Sequence, residues 1–122
     1  MRIEPENGII TMTRGDTFQT PIYINEGTKL EPQLRNMKPT ERLYVGVMEP
    51  GQQFEDAIIR KVYTSEDITD DNGNTLLCFT TNDTIKLRSG KYYYSIKLVD
   101  KQSDDETTVK TIVNKTLLWL VD

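Results

Sequence analysis

Several groups of residues have the types and spacing from which chemistry is built. Glu49, Glu55 and Asp56 flank one loop, the raw material of a glycosidase carboxylate pair, but such a pair needs a cleft and one acid of raised pKa. Nothing around these three residues points to burial, so they read as exposed loop charges. Glu66, Asp67, Asp70, Asp71, Asn72 and Asn74 offer hard oxygen donors of the kind calcium takes. An EF-hand loop with Gly73 at its sixth position would require acids at Ile68 and Phe79, so that loop fails and a solvated hairpin tip is the better reading. Arg14-Gly15-Asp16 spells the integrin-type tripeptide, which a glycine turn between two strands explains without a receptor. The chain has no histidine, which removes the Ser-His and Cys-His nucleophile arrangements and histidine zinc sites. Ser65, Ser89, Ser95 and Ser103 therefore lack that base, and none opens a Ser-x-x-Lys pattern. The single cysteine, Cys78, excludes an internal disulfide and lies in a strand pattern, where it serves as a small apolar residue. No catalytic residue, cofactor or metal is expected, and the chain reads as a non-enzyme.

The elements that would position such residues are strands. The chain has 122 residues with 36% hydrophobic content, enough for one domain, residues 1–122, to bury a core without staples. Threonine occurs 16 times and isoleucine 11 times, a β-branched bias. The formal charge is −4 and the pI near 4.9, which argues against binding a phosphate backbone. No apolar run is long enough to cross a membrane, and no apolar stretch follows Met1-Arg2-Ile3-Glu4, so no signal peptide is expected.

Period-two alternation predicts a first strand over 9–14 and a second over 17–24, with Phe18, Thr20, Ile22 and Ile24 on one face. Pro21 removes a donor, which suggests an edge or a bulge. Residues 28–41 read as a long connection, which Leu30, Leu34 or Met37 would pin. Leu43, Val45 and Val47 alternate in a third strand, and 57–64 forms a less regular fourth. Asn72-Gly73 supplies the positive φ angles of a hairpin turn before a fifth strand over 75–80. A helical turn over 82–89 is expected, capped by Asn82 or Asp83, with Ile85 and Leu87 pointing inward. The last strands run over 91–98 and 107–121. About seven antiparallel strands with one long early crossover predict an all-β, immunoglobulin-like two-sheet sandwich.

Leu87, Gly90 and Tyr92 resemble a tyrosine corner, in which a buried ring returns its hydroxyl to upstream backbone; these three are read as structural. Tyr44 and Tyr93 fall on the parity opposite the inferred core, and tyrosine is enriched in protein interfaces. Leu117-Leu118-Trp119-Leu120-Val121 fills both parities of its strand, so either Ile3 or another subunit must cover the second face. Tyr44, Tyr93, Leu118, Trp119 and Leu120 are therefore the candidate contact residues.

The strand and turn segments carry a resemblance. Ile10-Thr11-Met12-Thr13-Arg14-Gly15-Asp16-Thr17-Phe18 resembles the opening strand pair of small phage virion domains, similar to the N-terminal domain of the baseplate upper protein family. The likeness continues through Arg42 to Met48, Ala57 to Tyr63 and Leu87 to Tyr94. It implies an immunoglobulin-like structural component of a bacteriophage particle (baseplate, tail, neck or head decoration) that acts through contacts with other virion proteins or with its own copies. The expected location is the virion, reached from the host cytoplasm. The other function class weighed is a carbohydrate-binding module, or a receptor-binding accessory domain, using outward tyrosines.

Overall fold

Alternation of branched apolar and polar residues yields strands throughout. The computed structural model describes residues 2–3, 8–28, 30–101 and 107–122, with backbone alone for Arg2, Ile3 and Thr107. The strands are β1 (Arg2–Ile3), β2 (Ile10–Thr13), β3 (Phe18–Pro21), β4 (Ile24–Asn25), β5 (Leu34–Arg35), β6 (Glu41–Met48), β7 (Ile59–Tyr63), β8 (Leu76–Phe79), β9 (Gly90–Lys101) and β10 (Thr107–Val121). A 3-10 turn at Phe54–Asp56 precedes β7, and one helical turn, α1 (Thr81–Thr84), follows β8. The protein is all-β in class.

The main sheet runs β2-β10-β9-β6-β7, with the two-residue β1 added outside β2. It is mixed: β2 and β10 are parallel, from Leu118 beside Ile10 to Val121 beside Thr13, and the other pairs are antiparallel. The expectation of about seven antiparallel strands therefore meets a correction. Local turn signals report hairpins, whereas a parallel pair needs a long crossover, and here most of the chain supplies it. Two short pairs, β3-β8 and β4-β5, lie apart from the main sheet.

Phe18, Leu77 and Phe79 of the β3-β8 pair share one apolar cluster with Met12, Leu43, Val45, Tyr92, Ile96 and Leu120 of the main sheet. The Phe18 and Phe79 rings stack with centroids 6.3 Å apart. Tyr63 joins the sheets by another route, because its hydroxyl accepts the Cys78 backbone N–H at 3.0 Å and so satisfies an edge donor of β8. Burial pushes the Tyr63 phenol above its ordinary pKa. Pro21 lies in β3, which pairs only with β8, so its missing donor falls at a sheet edge.

The 28–41 connection is pinned by charge rather than by the apolar residues expected to do it. Leu30 and Leu34 are exposed, and only Met37 enters the core. The Asn25 side-chain oxygen accepts the N–H groups of Gly27 and Gln33, closing the β4-β5 loop. Arg35 then grips Glu41 through two parallel bonds of 2.7 Å, and Glu41 also accepts the Lys38 N–H. Glu41 is 2% exposed, so this fork fixes the crossover to the start of β6.

In the helical turn, the capping residue is Thr80 rather than Asn82 or Asp83. Asp83 sits three residues in, and its carboxylate accepts the Thr80 N–H at 2.7 Å, the reciprocal half of a capping box. Ile85 is exposed, not inward, while Leu87 packs on the core. Tyr92 is buried, and its hydroxyl donates to the Arg88 carbonyl at 2.7 Å, the geometry of a tyrosine corner. Gly90, at φ +149°, leads the chain into β9 just before it. Tyr92→Phe keeps the ring and deletes this bond; a loss of about 1 kcal/mol is expected in urea denaturation, with the folded spectrum unchanged.

Candidate functional site

The outward positions of the main sheet follow from its register. On β9 they are Lys91, Tyr93, Ser95, Lys97, Val99 and Lys101, because Tyr92, Tyr94, Ile96 and Leu98 are buried in the core. Pairing then brings rows together across the face. Thr11, Trp119 and Lys91 form one row, and Leu117, Tyr93 and Met48 the next. Further along, Thr111, Lys97, Tyr44 and Val62 form another row, followed by Val109, Val99 and Arg42.

Trp119, Tyr44, Val62 and Val109 are exposed large apolar side chains on this face. The face thus gathers three of the five expected contact residues, Tyr44, Tyr93 and Trp119. Leu118 and Leu120 are corrected to core residues at 3% and 0% exposure. Their parity faces inward beneath the β3-β8 pair, so the terminal apolar run serves both faces at once. The side chain of Ile3, the expected cover, lies outside the described residues. The two tyrosines share the face without touching ranks: Tyr44 stands opposite Lys97, Tyr93 opposite Met48.

Between them sits a feature the sequence pattern did not reveal. Phe54, from the 3-10 turn, folds back over Gly46, where a Cβ would meet the ring at 2.8 Å. Gly46 is therefore the hole in β6 that lets an aromatic approach the sheet closely. The Lys97 ammonium stands 4.5 Å from the Phe54 centroid, and that of Lys91 stands 5.5 Å from the Trp119 centroid. Both are cation–π distances. A glycine at an outward strand position was the available signal, and it reads as a close approach only when the covering ring is known.

The charge on this face is of one sign. Arg42, Arg60, Lys91, Lys97 and Lys101 occupy outward positions of β6, β7 and β9, and no outward position of β2, β6, β7, β9 or β10 carries a carboxylate. Arg42 and Arg60 donate to backbone carbonyls of Pro39, Glu41, Glu55 and Ala57, which hold them without neutralising them. Among the described residues none of the five forms an ion pair. Glu49, Glu55 and Asp56 are exposed in the loop that borders the face.

The other motifs resolve locally. Arg14 donates to the Asp122 carboxylate at 3.2 Å and to the Ile85 carbonyl at 3.0 Å, and the Gly15 N–H donates to Thr84 Oγ1 at 2.9 Å. The tripeptide is thus a turn stapled to α1 and the chain end, with Gly15 at φ +86°. Asp70 Oδ1 accepts the N–H groups of Asn72 and Asn74, which holds its carboxyl below the usual range and makes it the cap of its own turn. Cys78 is half-buried, with its Sγ bonded by Gln19. A cavity of about 440 Å³ opens between β3 and β10, lined chiefly by Pro21, Ile22, Leu77, Ile112 and Val113. Tyr94 reaches its wall, but that hydroxyl is donated to the Gly8 carbonyl and its pKa is pushed up to about 12 by burial. No protein-family model matches this sequence, and no curated protein matches it.

Proposed function

We propose that this chain is an immunoglobulin-like sandwich that serves as a structural component of a bacteriophage particle, held there by protein–protein contacts through the outer face of its main sheet. The sandwich reading is supported by the shared core of the β3-β8 pair and the main sheet, and by the tyrosine corner at the start of β9. The single observation that carries the contact role is the face itself: Trp119, Tyr93 and Tyr44 on a rigid sheet, interleaved with cations that form no ion pair among the described residues. Aromatic and arginine side chains are what protein interfaces concentrate. The particle assignment rests on the likeness of the 10–18, 42–48, 57–63 and 87–94 segments to phage virion domains, all of which fall on strands and turns of this fold.

Particles purified from the genome that encodes the chain test this reading by mass spectrometry. A fixed, stoichiometric copy number relative to the major capsid protein is expected. The chain present in the lysate but missing from gradient-purified particles overturns it. Saturable binding of oligosaccharides that shields Trp119 would instead favour the carbohydrate-binding module.

A further inference from the structure

The charge on the main sheet is distributed in a way that constrains what can dock there. The whole chain carries 15 basic and 19 acidic side chains. Among the described side chains, five basic ones lie on the outer face with no carboxylate at its strand positions, while the others comprise 8 basic and 14 acidic groups, or −6 against +5, with Glu49, Glu55 and Asp56 in the loop that borders the face. Two copies meeting face to face would set five cations against five, and like charges at short range oppose association. An isologous dimer through this face is therefore disfavoured. A head-to-tail contact, cationic face against acidic side, is favoured.

The acidic side has a segment of matching character. The connection from β7 to β8 runs Glu66-Asp67-Ile68-Thr69-Asp70-Asp71, four carboxylates around Ile68, which is 69% exposed. Its shape is fixed by the Thr69–Thr75 bridge, by the Leu76 N–H donated to Ile68 and by the Asp70 cap. It is a preformed knob, so docking it costs little ordering entropy. An apolar tip flanked by acids complements aromatic side chains flanked by lysines.

From this we propose that the outer face of the main sheet receives the acidic β7-β8 connection of a second copy of this chain, giving a heterologous contact that propagates into rings or filaments. The inference deepens the reading above, since it names the partner of the same face. Heterologous contacts close into rings when the rotation allows and extend otherwise, the geometry on which repeated assemblies are built.

Sedimentation equilibrium of the purified chain at about 20 mM and about 500 mM salt reads this directly, because the screening length shrinks several-fold between them. At low salt the mean mass should rise above 14.1 kDa and keep rising with concentration beyond a dimer. At high salt it should fall back toward the monomer. Lys91→Glu with Lys97→Glu, or Asp67→Lys with Asp71→Lys, should each weaken association about tenfold or more, and the two sets combined should restore it. Lys91, Asp67 and Asp71 are exposed and Lys97 is half-buried against Phe54, while Asp67 also accepts the Thr64 N–H at 2.6 Å, so circular dichroism checks that each variant is folded. A monomer under all conditions, an assembly that stops at two, or loss without restoration in the combined variant overturns the proposal. Failure of the particle test with self-association intact removes the virion reading alone; the converse removes only the second-copy partner.

Discussion

Phe79→Ala should lower the stability of the protein by about 4 kcal/mol, a shift of roughly 15 °C in the midpoint of thermal unfolding. Phe79 is 1% exposed and stacks on Phe18, its partner in the β3-β8 pair, beneath the Leu43 and Val45 side of β6. Truncation removes the ring's transfer energy and leaves a cavity that the β3-β8 pair and the main sheet cannot close, because each is held by its own ladder. Trp119→Ala provides the contrast. The side chain is larger but 44% exposed, with the Lys91 ammonium 5.5 Å from its ring centroid, so less than about 1 kcal/mol is expected. Urea denaturation followed by circular dichroism measures both, with unchanged slopes. Equal losses would mean that the outer face is structural rather than held open for a partner.

Arg35→Ala is the second large effect, at roughly 3 kcal/mol. The cost arises less from the lost attraction than from leaving the Glu41 carboxylate buried without a counter-charge. Replacing both residues together, Arg35→Met with Glu41→Met, removes the orphan and should recover most of the loss. The pH dependence follows from the same geometry. The Arg35 guanidinium holds the Glu41 carboxyl below its ordinary value of 4.5, with the Lys38 N–H adding to the effect. Glu41 therefore contributes stability that is fully present above that ordinary value and is lost as pH falls through its lower native one. In Arg35→Ala, burial without a counter-charge acts in the opposite direction, outweighs the remaining Lys38 N–H bond and raises the Glu41 pKa. The stability deficit of the variant should then shrink between about pH 7 and about pH 4, measured as the difference between the two urea midpoints. A deficit that stays constant would place the role of Arg35 in its packing.

Strands were legible in this sequence where one face alone is buried. The alternation of Leu43, Val45 and Val47 with Tyr44 and Gly46, and of Tyr92, Tyr94, Ile96 and Leu98 with their neighbours, assigns each side chain to the face it occupies. In β7 and the residue before it, the exposed parity, Ile58, Arg60 and Val62, is more apolar than a solvent face should be, while the inward row includes Lys61, which pairs with Asp83 at 2.8 Å. That reversal hid the strand's orientation. Leu118 and Leu120 read as contact residues in the sequence because a continuous apolar run has no readable parity until its register against β9 is known. The β2–β10 pairing was invisible for a related reason, since it depends on chain ends meeting rather than on any turn between them. The anchoring of the 28–41 connection escaped because a lone Arg and a lone Glu in a proline-containing stretch look like surface charges. Of the site, the aromatic outward positions were visible, whereas the cations flanking them and Phe54 lying over Gly46 required the register.

The most direct test of the proposed particle role and of the contact surface assigned to it is incorporation of a Tyr93→Glu, Trp119→Glu variant into particles whose genome lacks the native copy, quantified by mass spectrometry. Both side chains point away from the core, so the variant should fold with a urea midpoint near that of the wild type. It should then be excluded from purified particles, at least about tenfold below the wild-type copy number. A folded variant that enters particles at the wild-type level would contradict the assignment of this sheet face as the surface by which the protein is held.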